Sequence, residues 1–216
     1  MIKVRRLKPA EFLYRAYISF LLKSNFSKFL VSGEMPELRK TKGLIVTPNH
    51  FSWWDGFFAE YLMRFYSDRN PNLMMLEEQL KKYPFFSLVG AFSIEKTSLT
   101  GIKESLEYCK QIVSDFSGYL IYYPQGEIQK YSYYPVKLQK GLKYICEGTD
   151  SDVLTISFKI VYENKKKPAV ICRFGNLTSS KVLYSGFEKY EKEFNENIRM
   201  LEDETSFSTL KNLFVK

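Results

Sequence analysis

Short apolar runs and helix-like stretches take turns along this chain, and that alternation limits the folds open to it. Strand-like runs fall at residues 44–47, 73–76, 92–94, 119–122, 154–161 and 169–174. Helix-like stretches lie between or after them, at about 53–66, 78–88, 98–115, 137–147 and 181–202. The clearest is 98–115, where Ile102, Leu106, Cys109 and Val113 recur at i, i+4, i+7 and i+11 while Lys103, Glu104 and Lys110 take other faces. Strands alternating with helices predict an α/β fold: a single-domain αβ sandwich with a mixed, partly parallel sheet flanked by helices. The polar run ENKKKP at 163–168 separates two strand-like runs and predicts a hairpin there.

A chain of 216 residues with no Gly/Ser/Pro-rich linker and no internal period reads as one domain. Its 45% hydrophobic content excludes disorder, and the 17% aromatic share suits contact with lipid or an acyl chain. The net charge of +8 attracts polyanions, either nucleic acid or an anionic membrane surface. The lysines are scattered, with no Gly-rich or RNP-like aromatic motif, so no nucleic-acid partner is expected. Cys109, Cys146 and Cys172 lie far apart without CxxC spacing beside a single histidine, so no metal site is expected. An odd cysteine count without a signal-peptide pattern fits a reducing cytosol.

Residues 10–31, AEFLYRAYISFLLKSNFSKFLV, carry apolar side chains at helical spacing (Phe12, Leu13, Ala16, Tyr17, Phe20, Leu21), interrupted by Arg15, Lys23 and Lys28. The longest charge-free run there, 16–22, falls far short of the roughly 20 residues that span a bilayer. One or two amphipathic helices lying in the interface, with MIKVRRLK as a basic leader, are the expectation. A helix packed on the domain's own core fits the same pattern. The expected division is residues 1–35 for membrane association, ahead of a catalytic domain at 36–216.

The stretch TPNHFSWWDGFF at 47–58 holds the chain's single histidine, His50, five residues before Asp55. Inside one helix these two would stand about 140° apart and could not meet. They meet if His50 lies in a turn and Asp55 in the first turn of the helix after it. Ser52-Trp53-Trp54-Asp55 is an S-x-x-D pattern ahead of an apolar run, which predicts such a helix start, with Ser52 as N-cap. A carboxylate there is favoured by the helix dipole and free N–H groups. Bonded to one imidazole nitrogen, it fixes the tautomer and leaves the other nitrogen as a base for a substrate's own hydroxyl. A purely structural cap and turn fit the same spacing.

NHFSWWD resembles the N-H-x-x-x-x-D motif of the glycerophospholipid acyltransferases, the family that includes the lysophosphatidate acyltransferases. Three further stretches are similar to that family's blocks, in order and at matching spacing. EEQLKKYPFFSLVGAFSIEK (77–96) ends in the acidic-basic pair Glu95-Lys96. YLIYYPQGEIQ (119–129) resembles the block usually written F-P-E-G-T-R, and LQKGLKYI (138–145) the basic-Gly helix start after it. The resemblance implies a fatty acyl thioester donor, on coenzyme A or acyl carrier protein, and a lipid hydroxyl acceptor, with no bound cofactor. It makes His50 the general base and Asp55 its orienter. Lys96, Gln125, Gly126, Glu127 and Lys140 become candidates for acceptor or phosphate binding. Backbone N–H groups near Gly126 are candidate oxyanion donors.

The third block departs from the family's pattern: Gln125 stands for Glu, Glu127 for Thr and Ile128 for Arg. That Arg is associated in the family with the acceptor's phosphate, and Ile offers no fork for it. Lys96 replaces a common Arg; Lys130, Lys137 and Lys140 are nearby charges or plain solvated lysines. Acyl transfer to a lysophospholipid hydroxyl of the 1-acylglycerol-3-phosphate type, in phospholipid biosynthesis, is therefore the family default. Transfer to a glycolipid or other non-phosphate hydroxyl, and a silent lipid-binding member of the fold, are the alternatives. Trp53 and Trp54 are candidates for acyl binding, the interface or the core. Tyr122, Tyr123, Tyr131, Tyr133 and Tyr134 cluster at the third block and offer a stacking surface or a half-buried rim. Taken together, these features place the protein at the cytoplasmic face of the cell membrane, peripheral or monotopic, with its oligomeric state open.

Overall fold

A computed structural model describes residues 1–131 and 135–215; Tyr133 and Tyr134 lie outside the described residues. In chain order the elements are α1 (Lys8–Asn25), β1 (Lys28–Ser32), β2 (Gly43–Pro48), α2 (Asp55–Met63), β3 (Asn70–Leu76), α3 (Glu77–Lys82), a 3-10 segment (Pro84–Val89), β4 (Ala91–Ile94), α4 (Leu99–Ser114), β5 (Gly118–Ile121), α5 (Gly141–Cys146), β6 (Ser151–Val161), β7 (Ala169–Ser179), α6 (Ser180–Ser185), α7 (Phe187–Glu202) and β8 (Lys211–Asn212). The strands form one sheet in the order β4-β3-β5-β2-β6-β7-β1-β8. Neighbours from β4 to β6 pair in parallel, as do β7 and β1; β6–β7 and β1–β8 are antiparallel. This is the expected mixed sheet, and the ENKKKP turn joins β6 to β7 as a hairpin.

Every residue of β2 is buried, as a central strand covered on both faces must be. One face carries Ile18 and Leu22 of α1 with Phe57, Phe58 and Leu62 of α2. The other carries Leu106, Cys109 and Val113 of α4, Leu142 and Ile145 of α5, and Tyr190, Phe194 and Ile198 of α7. Helix α4 starts where its sequence predicts, with the Ser98 hydroxyl accepting the Gly101 N–H at 3.0 Å.

Two expectations need correction. The helical reading of residues 10–31 fails past Asn25: Lys28–Ser32 is a strand, between β7 and β8. An apolar run of four to six residues does not reveal its own period, and Phe29-Leu30-Val31 is buried on both faces of the sheet. The stretch 78–88 divides into α3 and the 3-10 segment because Pro84 cannot donate a helical hydrogen bond. The basic leader is also docked. Ser93 N–H donates to the Ile2 carbonyl (2.9 Å), Leu7 N–H donates to that of Leu88 (3.0 Å), and Arg6 is bound by Glu11, Pro71 and Asn72.

Candidate active site

Because β2, β3, β4 and β5 run parallel, their carboxyl ends and the segments that follow converge on one edge of the sheet, where α/β proteins place their ligand crevices. The first segment follows β2. Asn49, 4% exposed, accepts the Phe158 N–H (2.7 Å) and donates to the Phe158 carbonyl (3.0 Å). Its side chain thus continues the β2–β6 ladder after the main chain has turned away, and frees His50 to face the crevice.

Asp55 lies in the first turn of α2 with its side chain fully buried, and His50 remains 21% exposed. The His50 Nδ1 is 2.9 Å from the Asp55 Oδ2. That oxygen also accepts the N–H groups of Phe51 (2.7 Å) and Ser52 (2.8 Å), while the Ser52 hydroxyl donates to Oδ1 at 2.7 Å. Main-chain N–H groups can only donate, so the carboxylate acts as acceptor throughout. Nδ1 therefore carries its hydrogen toward Asp55, and Nε2 is the free basic nitrogen. The predicted helix start is shifted: α2 begins at Asp55 with Trp54, not Ser52, as its N-cap and no side-chain cap bond, because Asp55 instead closes the preceding turn on the Ser52 N–H and the Ser52 hydroxyl accepts from Trp54 (3.2 Å).

The third block follows β5 and grips His50 by its main chain. Gln125, 3% exposed, accepts the His50 N–H through Oε1 at 2.6 Å. The Gln129 N–H donates to the His50 carbonyl at 3.0 Å. The Tyr123 ring stacks on the imidazole, centroids 4.1 Å apart and planes 23° apart. Its hydroxyl is buried without a partner among the described residues; burial, then the Asp55 carboxylate, hold that phenol well above its usual range.

Gly126 has φ +79, and a Cβ there would sit 2.9 Å from Cγ of Gln139. Its N–H closes a turn on the Tyr123 carbonyl at 3.0 Å, so that group is spent and is not an oxyanion donor. Its carbonyl takes the Lys96 ammonium, which ties the second block to the third. Glu127 and Lys140 are exposed. Ile128 is 56% exposed. Trp54 packs into the core, edge-on to Phe26 at 5.1 Å and stacked on Phe58 at 6.3 Å. Trp53 is 66% exposed and lies edge-on to Phe57. The three thiols are buried, and burial pushes all of them up, Cys146 to about 12, so none is a ready nucleophile.

The family model described as Acyltransferase matches residues 30–159, well over half of the chain. The chain belongs to the Acyltransferase family. It is an O-acyltransferase, as the resemblance of its four blocks implies. Its fold is similar to the crystal structure of the 1-acyl-sn-glycerophosphate (LPA) acyltransferase PlsC from Thermotoga maritima, with TM-score 0.62 and 18% identity over 94% of this chain and 86% of that one. No curated protein matches the sequence. Of the candidates named from the sequence of this acyltransferase, the structure gathers His50, Asp55, Lys96, Gln125 and Gly126 at one sheet edge. Sequence reasoning assigned no role to Asn49 or Gln129. Both stand inside the quoted blocks, but what they do depends on partners 109 and 79 positions away in the chain.

Proposed function

We propose that this acyltransferase moves a fatty acyl group from a thioester, on coenzyme A or acyl carrier protein, to a lysolipid hydroxyl, with a lysophospholipid acceptor as the family's pattern. The observation that carries the reading is the 2.9 Å contact between His50 Nδ1 and Asp55 Oδ2 beside a crevice. In the reaction His50 Nε2 takes the acceptor hydroxyl's proton while that oxygen bonds to the thioester carbonyl carbon. The C–S bond then breaks and the departing thiolate takes the proton back from the imidazolium. Asp55 keeps the ring oriented and balances its transient charge. No bound cofactor enters these steps.

A membrane surface is the proposed place of work, at the cytoplasmic face and with peripheral attachment. No helix among the described residues is long and apolar enough to cross a membrane. Helix α1 is nonetheless apolar on its outer side as well as its inner one: Phe12, Leu13, Tyr17 and Phe20 are 59–74% exposed, with Arg15 and Lys23 also exposed on the helix. Such a face suits an anionic lipid interface. The test is incubation of purified protein with acyl-CoA or acyl carrier protein donors and a lysolipid panel, read by mass spectrometry. Acylated product that disappears in His50→Ala is the expected result; product at the wild-type rate in His50→Ala would overturn the reading.

A further inference from the structure

The orientation of one side-chain amide is settled by the hydrogen bonds around it. The His50 main chain can only donate to Gln125, so the end of that amide nearest it is Oε1. Gln125 Nε2 then donates to Gln129 Oε1 at 2.9 Å, with a longer approach to the His50 carbonyl at 3.4 Å. With its oxygen taken, Gln129 is left with Nε2 as its outward end, and that nitrogen has no partner among the described residues. Gln129 lines the same small pocket as His50, which has room for about one water as it stands. A chain of three amide groups thus runs from the catalytic histidine's backbone to an uncharged donor on the crevice wall.

From this we infer that Gln129 is the acceptor-specificity residue, and that its amide N–H meets an uncharged oxygen in the polyol or glycosyl head of a lipid acceptor. The inference rests on the acyl-transfer reading and narrows its acceptor away from phosphate monoesters. A phosphate dianion wants a fixed cation or a guanidinium fork. Ile128, exposed where the resemblance places an arginine, supplies neither. The Lys96 ammonium is engaged by the Gly126 carbonyl. Glu127, exposed next to it, adds a negative charge that repels a dianion. Lys130 lines the crevice, but it is one exposed charge on a flexible stem, well screened by water and salt. A hydroxyl or ether oxygen needs a single neutral donor, which is what the relay presents.

The test uses the full chain with one acyl donor, either acyl-CoA or acyl carrier protein. Monoacylglycerol, a monoacyl glucosylglycerol and lysophosphatidate are offered at equal concentration in the same micelles. At least one uncharged acceptor is expected to show a kcat/KM ten-fold or more above lysophosphatidate. Gln129→Ala removes the donor, and Gln129→Glu removes it while keeping an oxygen for Gln125 Nε2; both should collapse that ratio by ten-fold or more. Ile128→Arg should shift the ratio toward lysophosphatidate. A wild-type enzyme that acylates lysophosphatidate as fast as either uncharged lipid overturns the inference, as do Gln129 variants that both keep the wild-type ratio. Preference of the wild type for lysophosphatidate, with that product vanishing in His50→Ala, would leave the acyl-transfer reading standing and sink only this one. Failure to acylate any acceptor with either donor would sink both.

Discussion

Asn49 and Phe158 exchange two hydrogen bonds, one in each direction, as a pair of antiparallel strand residues would. Here one partner is a side chain. The ladder between β2 and β6 is completed without using the backbone of residue 49, so His50 leaves the sheet at its carboxyl edge. Asn49→Ala would strand a buried N–H and a buried carbonyl at about 1–3 kcal/mol each. Chemical denaturation should show a loss of several kcal/mol, and a loss under about 0.5 kcal/mol would mean that solvent already reaches Phe158.

Removing the proposed base should be more selective. His50→Ala is expected to lower kcat by roughly 10²–10⁴-fold. Its far-ultraviolet circular dichroism should match wild type, because the ring is partly exposed and packs chiefly against Tyr123.

Asp55→Asn tests charge separately from orientation. An amide oxygen in the place of Oδ2 can still accept from His50 Nδ1, Phe51 N–H and Ser52 N–H, and the Ser52 hydroxyl can turn to accept from the amide nitrogen, but the neutral amide no longer balances the imidazolium that forms. A fall in kcat of roughly 10²–10³-fold is expected, with KM for the acyl donor little changed. Steady-state kinetics of the pure variant decide it.

Much of this arrangement can be read in the sequence because it is local. The His50–Asp55 contact spans five residues and follows from a turn feeding a helix start, and α4 follows from the spacing of Ile102, Leu106, Cys109 and Val113. The rest depends on distant pairing. Phe29-Leu30-Val31 becomes a strand because β7 and β8 flank it, which nothing within residues 10–35 reveals. The Gln125–Gln129 relay exists because His50 stands beside it, 75 residues away in the chain.

The outer face of α1 gives a prediction about surfaces. Phe12 and Phe20 are 74% and 69% exposed, so replacing both with Ser should leave the melting temperature within about 2 °C of wild type. Burial of a phenylalanine in an apolar medium is worth about 1.5–3 kcal/mol. Partition onto anionic vesicles, measured by sedimentation, should accordingly fall ten-fold or more. Unchanged partition would place the lipid contact elsewhere.

Gly126→Ala probes the turn that joins the second and third blocks. Positive φ and the 2.9 Å approach to Gln139 both oppose a side chain. A cost of about 1–3 kcal/mol is expected, together with reduced transfer, as the Pro124–Gln139 and Lys96–Gly126 contacts shift. Differential scanning calorimetry and a single-substrate assay measure the two effects.

Strand β1 pairs residues 28–32 with 169–173 on one side and 211–212 on the other. An early piece of the chain is therefore locked in place by two late ones, and the sheet stays open during synthesis until nearly everything has been translated. Such high contact order makes folding slow and leaves edges exposed meanwhile. For the same reason residues 1–31 are no detachable handle: cutting them away would pull most of a strand from between its neighbours, and any loss of sedimentation with vesicles would then report a broken sheet.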